Sequence, residues 1–478
     1  MAGRLIVVSN RIPTETVSAG GLAVALHDGL AERGGIWIGA HPDRGSESGL
    51  FEIGAGPYTR LAFRLSDEDH RDYYLGFSNS VLWPLCHRRS DLVDLQPEFF
   101  DRYMKVNERL AEMMVDVLRP EDEIWVHDYH LFPLARFLRA RGVGNRIGFF
   151  LHIPFPALAD LSILPDPEAF AEWLAAFDLV GLQTRADTAR CLEMFRADPR
   201  AEFFPDASIK LSNRVMRVKS FPIGIAAQEF RQMAREPGPD PFGAERPEEF
   251  VIGVDRLDYT KGLPNRFRAF ADYLEHQAGG RRTCLLQIAP PSREVVQAYR
   301  QITEELEELS GRINGRFATL DWTPIRYIHR PIDRSRLAVL YNRARACLVT
   351  SLADGMNLVA KEFVAAQDPE DPGVLILSRF AGVAEDMDEA ILVNPYDIGD
   401  ISAAIDRALT MPLDERKRRY SACMAVVEKT DISRWTRSFL SALDNCAGTI
   451  PFSSIRMSTN PGLGASVDTI RRDLGVDS

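Results

Sequence analysis

An α/β fold of two doubly wound, Rossmann-like halves is what the sequence predicts, and three observations predict it. Short β-rich apolar runs alternate with helical patterns along almost the whole chain. Several of these runs are apolar on both faces, as buried parallel strands are. The alternation breaks once, at 234–249 (AREPGPDPFGAERPEE), a segment rich in proline and charge. A length of 478 residues suits more than one domain.

Ahead of the break, strands are expected at 5–9, 36–38, 123–127, 147–152, 179–183 and 215–221. After it they are expected at 250–254, 283–288, 325–329, 347–350, 374–378 and 391–394. Helical periodicity marks 131–141, 166–177 and 334–345, and two more helices at 413–429 and 433–443 close the pattern. This divides the chain into an N-terminal domain at 1–230 and a C-terminal domain at 231–447, the last helices being free to pack back on the first domain. Residues 448–478 are Ser/Gly-rich without a period and read as a flexible tail. No internal repeat of 20–50 residues is visible.

Hydrophobic residues make up 45% and charged residues 26%, a balance that excludes a disordered chain. The net charge of −11 is diffuse and argues against nucleic acid as a partner. Six scattered cysteines include no C-x-x-C pair and suit a reducing compartment. The apolar run from Leu5 to Val8 is too short for a signal-peptide core, and no run approaches the ~20 residues of a membrane span. A cytoplasmic protein with no membrane or nucleic-acid partner is expected.

Ligands of open α/β sheets bind beyond the carboxyl ends of the strands, so the residues following each strand are the candidates. Asn10-Arg11 follows the first strand, and Ser18-Ala19-Gly20-Gly21-Leu22 then opens a helix. Backbone N–H groups there can approach a phosphate, or the glycines can serve a flexible turn. Asp128 and His152 follow neighbouring strands and could bind sugar hydroxyls or move a proton, whereas His127 and His130 read as structural histidines. Arg256 and Lys261 follow the strand that opens the second half. Two cations there could neutralise a pyrophosphate, or could pair at the surface with Asp255 or Asp258. Asp354-Gly355-Met356-Asn357 leads into a helix whose free N–H groups suit a phosphate, with Glu362 one turn in to grip a ribose diol. Tyr73-Tyr74 and Trp83-Pro84 offer an aromatic wall, and Arg293 follows another strand.

Two D-x-D pairs are weighed as metal sites and set aside. Asp67/Asp69 follows Ser66 and reads as a capped helix start, and Asp386/Asp388 lies in a charged run with Glu385. There is no Walker A loop, no zinc-spaced His/Cys set and no G-x-G-x-x-G after the first strand. A nicotinamide enzyme is disfavoured, and neither a cofactor nor a metal is expected.

The segments VVSNR, SAGGLA, FSNSVLWP, WVHDYHL, GFFLHIPFP, VDRLDYTKGLP, IAPPSR, GRINGRF, DGMNLVAKEFVAAQ and VNPYD run in order over about 4–446. Together they resemble glycosyltransferase family 20, the retaining glucosyltransferases that make trehalose 6-phosphate. The resemblance implies a GT-B fold with an interdomain cleft and no required metal. It implies UDP-glucose as donor and glucose 6-phosphate as acceptor, and a homodimer or homotetramer. By the same resemblance Arg256 and Lys261 hold the diphosphate, with Gly20 and Gly21 approaching it from the first half. Leu358, Val359, Ala360, Lys361 and Glu362 supply backbone contacts to phosphate and nucleoside, Glu362 meets the ribose and Ile332 the base. Asp354 and His152 bind the transferred glucose and, with Arg256 and Lys261, form the catalytic set. Arg11, Tyr74, Trp83, Asp128 and Arg293 hold the acceptor, with Arg11 and Arg293 on its phosphate. Two departures stand out: Trp37-Ile38-Gly39-Ala40 where the family commonly has Trp-x-Gly-Trp, and Leu352-Ala353-Asp354-Gly355 where it commonly has Leu-Arg-Asp-Gly. Ala40 is expected to loosen the grip on the sugar ring and leave the phosphate clamp intact.

Overall fold

Two sheets carry the fold of this computed structural model, the first parallel at its centre with antiparallel pairs at its margins and the second parallel throughout. It describes residues 3–14, 26–27, 29–31, 34–47, 49–54, 56–236, 242–243, 247–277, 280–292 and 297–446. The first sheet contains β1 (Leu5–Arg11), β2 (Gly35–Ala40), β3 (Phe51–Glu52), β4 (Thr59–Phe63), β5 (Glu123–His127), β6 (Ile147–Phe150), β7 (Leu179–Leu182), β8 (Glu202–Phe203), β9 (Ser208–Leu211) and β10 (Arg214–Ser220). The second contains β11 (Glu249–Val254), β12 (Thr283–Ile288), β13 (Ile325–Ile328), β14 (Ala346–Val349), β15 (Val374–Ser378) and β16 (Ile391–Val393). Every strand expected from the sequence is present. Strands β5, β6, β7, β12, β14 and β15 are buried at every position, which is why they read as apolar on both faces.

The sheet orders are β3-β4-β2-β1-β5-β6-β7-β10-β9-β8 and β13-β12-β11-β14-β15-β16. In each sheet the chain winds outward from its first strand, then returns to that strand's other side and winds away. The reversal lies between β1 and β5 in the first sheet and between β11 and β14 in the second. At such a switch point the loops diverge and leave a crevice. Arg11 ends β1, and Asp128, Arg256 to Lys261, and Asp354 come after β5, β11 and β14.

The four strands missed in the sequence, β3, β4, β8 and β9, have two to five residues and pair at the sheet margins. They are too short or too exposed to show an alternation. The helix start read at Ser66 opens the helix Asp69–Leu82, whose π geometry the sequence did not signal and which runs on into Trp83–Cys86. Its wider turns are sealed by side chains: Asn79 donates to the Tyr74 carbonyl at 2.7 Å and Ser80 to the Leu75 carbonyl at 2.8 Å. Its start is the capping arrangement read from Ser66. The Ser66 hydroxyl accepts from the Asp69 amide at 3.1 Å, and the Asp69 carboxylate accepts from the Ser66 amide at 3.0 Å.

The helix Ile432–Asp444 packs on the first sheet, where Phe439 stacks on Trp125 at 4.6 Å and Trp435 lies 5.0 Å from the same indole. The chain thus crosses between the halves twice, and the crossings touch through a bridge between Ile225 and Asp431. No helix among the described residues is long and apolar enough to cross a membrane.

Candidate active site

The β11 loop is built to hold a lysine inward. Asp255, at its start, is locked by the fully buried Arg266, which donates to Asp255 at 2.8 Å, Gln287 at 2.8 Å and Thr350 at 3.0 Å. Asp258 accepts from the Thr260 amide at 3.0 Å and from the Tyr299 hydroxyl at 3.0 Å. Neither carboxylate is a surface partner for Arg256 or Lys261. Gly262 has φ +64°, and a Cβ there would strike the Thr350 carbonyl, so only glycine fits this turn.

Lys261 donates to Asp354 Oδ2 at 2.6 Å. The same oxygen accepts from Ser351 Oγ at 3.1 Å and from Asn357 Nδ2 at 3.0 Å. Burial opposes charge on both members of the pair, but their mutual attraction outweighs it. Lys261 is therefore held above the usual lysine range and Asp354 below the usual carboxylate range. Asn357 also caps the helix Leu358–Ala366, its side chain accepting from the Ala360 amide at 2.9 Å. Sequence reasoning gave no role to Asn357 or Ser351. The signal for Asn357 was its spacing, three residues before Ala360 at a helix start.

In the first half, Arg11 ends β1 and donates to the Tyr74 hydroxyl at 2.9 Å. Tyr74 stacks on His130 at 5.8 Å, while its neighbour Tyr73 turns inward and donates to Asn10 at 2.9 Å. Asp128 has φ +76°, a left-handed conformation that a non-glycine residue adopts only when its surroundings enforce it. Its amide donates to the Phe150 carbonyl at 2.8 Å, and its carboxylate accepts from the His152 amide at 3.4 Å. His152 Nε2 lies 3.1 Å from Nδ1 of the fully buried His127. Burial pushes the His152 imidazole down to about 3, so it is neutral at working pH and serves as a hydrogen-bonding group.

The two sets face each other. A Cβ on Gly355 would collide with the His152 carbonyl, so the Asp354 loop rests against the His152 loop. The Arg256 guanidinium, from the second half, lies 5.7 Å over the Trp83 ring of the first. Trp83 is only 4% exposed, so its indole is a covered floor under Arg256 more than an open wall. Ala40 is likewise closed in at 3% exposure, in register with Arg11. An indole at Ala40 would have to displace packed neighbours.

Glu362 is half-buried, and burial raises its carboxyl to about 7 against the pull of Arg334. Leu358 and Val359 are half-buried at the same helix start, and Ala360 is buried. Ile332 sits half-buried beyond β13. The Lys361 side chain leaves the cleft. Its amine donates to the Ile223 carbonyl at 2.6 Å and to Thr430 Oγ1 at 3.1 Å, and burial pushes it down to about 7. Only its backbone remains for a ligand. Gly20, Gly21, Arg293 and the tail at 448–478 lie outside the described residues. Among the described residues no group of three His, Cys, Asp or Glu could hold a metal ion. Asp69 is instead bound to Arg109 at 2.6 Å.

The sequence profile of glycosyltransferase family 20 matches residues 7–445. The chain belongs to glycosyltransferase family 20. This family-20 chain is 45% identical over 448 residues to a trehalose-6-phosphate synthase of Sodalis glossinidius, covering 92% of the chain and 96% of that protein. It is similar to the crystal structure of an α,α-trehalose-phosphate synthase (UDP-forming) from Burkholderia xenovorans in complex with glucose 6-phosphate. The TM-score is 0.88 and the identity 46%, covering 92% of this chain and 100% of that one. It is also similar to the E. coli protein bound with UDP-2-fluoro glucose, with a TM-score of 0.89 and 43% identity, covering 93% of this chain and 100% of that one. The fold of this glycosyltransferase is GT-B, as the resemblance implied.

Proposed function

We propose that this glycosyltransferase moves glucose from UDP-glucose to glucose 6-phosphate, forming α,α-trehalose 6-phosphate and UDP with retention at the anomeric carbon. The observation that carries the reading is the opposition of two unlike switch points across one cleft. One presents Arg256, Lys261 and Asp354, and the other presents Arg11, Tyr74, Asp128 and His152. A donor with two phosphates suits the first and an acceptor with one phosphate suits the second.

In this reading residues 1–230 form the acceptor domain and 231–447 the donor domain. Arg256 and Lys261 hold the diphosphate, since an ammonium has three donors and Lys261 spends one on Asp354. The amides of 358–362 meet phosphate and nucleoside, Glu362 accepts from the ribose hydroxyls, and Ile332 lies at the base. Asp354 and His152 take hydroxyls of the transferred glucose. Arg11 and Arg293 clamp the acceptor phosphate, with Tyr74, Trp83 and Asp128 around the sugar. Gly20 and Gly21 approach the donor from the first half. Six cysteines that are all buried and unpaired support a reducing, cytoplasmic setting.

Departure of UDP breaks the bond from glucose C1 to the phosphate oxygen and leaves an oxocarbenium-like ring. The acceptor hydroxyl attacks from the same face and gives its proton to the departing phosphate oxygen. Asp354 Oδ2 is already occupied by three donors, which suits a group that holds hydroxyls of the transferred glucose. Transition-state stabilisation falls to Arg256 and Lys261, which match the charge growing on the leaving group. An assay of nucleoside diphosphate release from UDP-, GDP- and ADP-glucose, with glucose 6-phosphate or free glucose, tests the reading. Release from UDP-glucose that depends on glucose 6-phosphate is the expected result. Equal release with free glucose would remove the role given to Arg11.

A further inference from the structure

The acidic run at 385–388 binds no metal in this reading, yet it is the only D-x-D pair that joins the two halves. Glu385 ends the short turn Gly382–Glu385 of the second half. The helix Arg185–Ala197 of the first half begins directly after β7 and Thr184. Glu385 Oε2 accepts from the Arg185 amide at 2.9 Å, and Oε1 accepts from the Ala186 amide at 2.9 Å. A carboxylate from one half thus satisfies two first-turn amides of a helix in the other, where the helix dipole also favours it. Arg185 reaches back, donating to the Glu385 carbonyl at 3.0 Å and to Asp386 at 3.0 Å.

This contact is wired to the reacting centre. The amide of Gly382 donates to the Asp354 carbonyl at 3.1 Å, Asp354 donates to the Phe380 carbonyl at 3.2 Å, and Val383 donates to the Met356 carbonyl at 2.9 Å. Thr184, Ala186 and Glu385 also line a cavity of about 100 Å³ whose other walls include Asp354, Pro154 and Arg88. The contact and Asp354 thus border one cavity.

We propose that Glu385 is a positioning residue, a latch that holds the donor half closed on the helix Arg185–Ala197 and shuts water away from Asp354. The inference rests on the glucosyltransferase reading for its kinetic consequences but not for its geometry. The Arg185 side chain is 67% exposed, so its ion pair adds little and the two amide bonds to Glu385 carry the latch. A closing equilibrium that lies well to the closed side appears in KM and leaves kcat almost unchanged when it weakens.

The test compares the parent chain with Glu385→Ala, Glu385→Gln and Arg185→Ala. For Glu385→Ala the KM for UDP-glucose rises about tenfold, the scale of losing two hydrogen bonds, while kcat stays within about twofold. UDP release without acceptor rises. Glu385→Gln, which keeps one acceptor oxygen, lies between, and Arg185→Ala stays within about twofold of the parent. Small-angle scattering with UDP-glucose added gives a larger radius of gyration for Glu385→Ala than for the parent. Unchanged KM and acceptor-free release in Glu385→Ala overturn the latch, as does a fall in kcat and melting temperature with KM unchanged. If the parent makes no product, the synthase reading fails. Identical radii of gyration for parent and Glu385→Ala then overturn the latch on their own.

Discussion

Lys261 meets Asp354 across 93 residues of sequence, and each favours the charge on the other. The loop position of both was legible, since each directly follows a strand that borders a reversal of strand order. What the sequence did not carry is direction. Lys361 and Glu362 are adjacent, yet one turns to the Ile223 carbonyl and the other lies within the pull of Arg334. Helical phase alone could not say which face the second crossing would cover. Removing a charge-stabilising cation costs about 10²–10³ in rate, so Lys261→Ala or Arg256→Ala should lower kcat/KM by that factor. Folded variants with near-parental turnover would refute the roles given to them. Glu362 supplies a pH prediction. Its folded pKa is raised to about 7, so the carboxyl gains a proton as pH falls through that value and becomes a weaker acceptor for ribose hydroxyls. UDP affinity should therefore fall below pH 7, by at most about tenfold per pH unit. Calorimetric titration of UDP against pH should show a steeper fall in the parent than in Glu362→Gln, where only protonation of the UDP phosphate remains. The same slope in both would clear Glu362 of the effect.

Elements that position the site divide by how their pattern arises. The central strands were legible because burial on both faces forces continuous apolar runs, and their order placed the crevices. Of the π-helix Asp69–Leu82 only the capped start was legible, because its wider turns obey neither the 3.6 nor the 2.0 period. It nevertheless turns Tyr73 inward and Tyr74 toward Arg11. The contact between the two chain crossings was equally hidden, since it is a tertiary contact with no local signature. Lys361 pins it by bonding Ile223 on one crossing and Thr430 on the other. Lys361→Met should leave the buried Ile223 carbonyl without its donor, break the bond to the half-buried Thr430, and cost about 1–3 kcal/mol of stability by denaturant titration. A loss under about 0.5 kcal/mol, the size of an ordinary surface change, would mean that the amine does not hold the crossings together.

At the scale of the whole molecule, two sheets bring unlike charge patterns to one cleft, and the cations that the proposed reading sets against a leaving diphosphate are side chains. Activity should therefore persist in excess EDTA. Loss of turnover on chelation, restored by Mg²⁺ or Mn²⁺, would reopen the Asp67/Asp69 and Asp386/Asp388 pairs as ligands. The family's motifs made the overall architecture legible in advance. How closely the halves rest on each other was not, because the Gly355–His152 and Arg256–Trp83 contacts join segments about 170 to 200 residues apart that only the fold aligns. The central claim is that this cleft joins one glucose to another through their anomeric carbons. NMR of the product formed from UDP-glucose and glucose 6-phosphate tests it most directly. The account predicts one phosphorylated disaccharide with both anomeric centres α and linked to each other. A product with a β centre, a linkage through another hydroxyl, or free glucose as the only sugar released from the donor would contradict it.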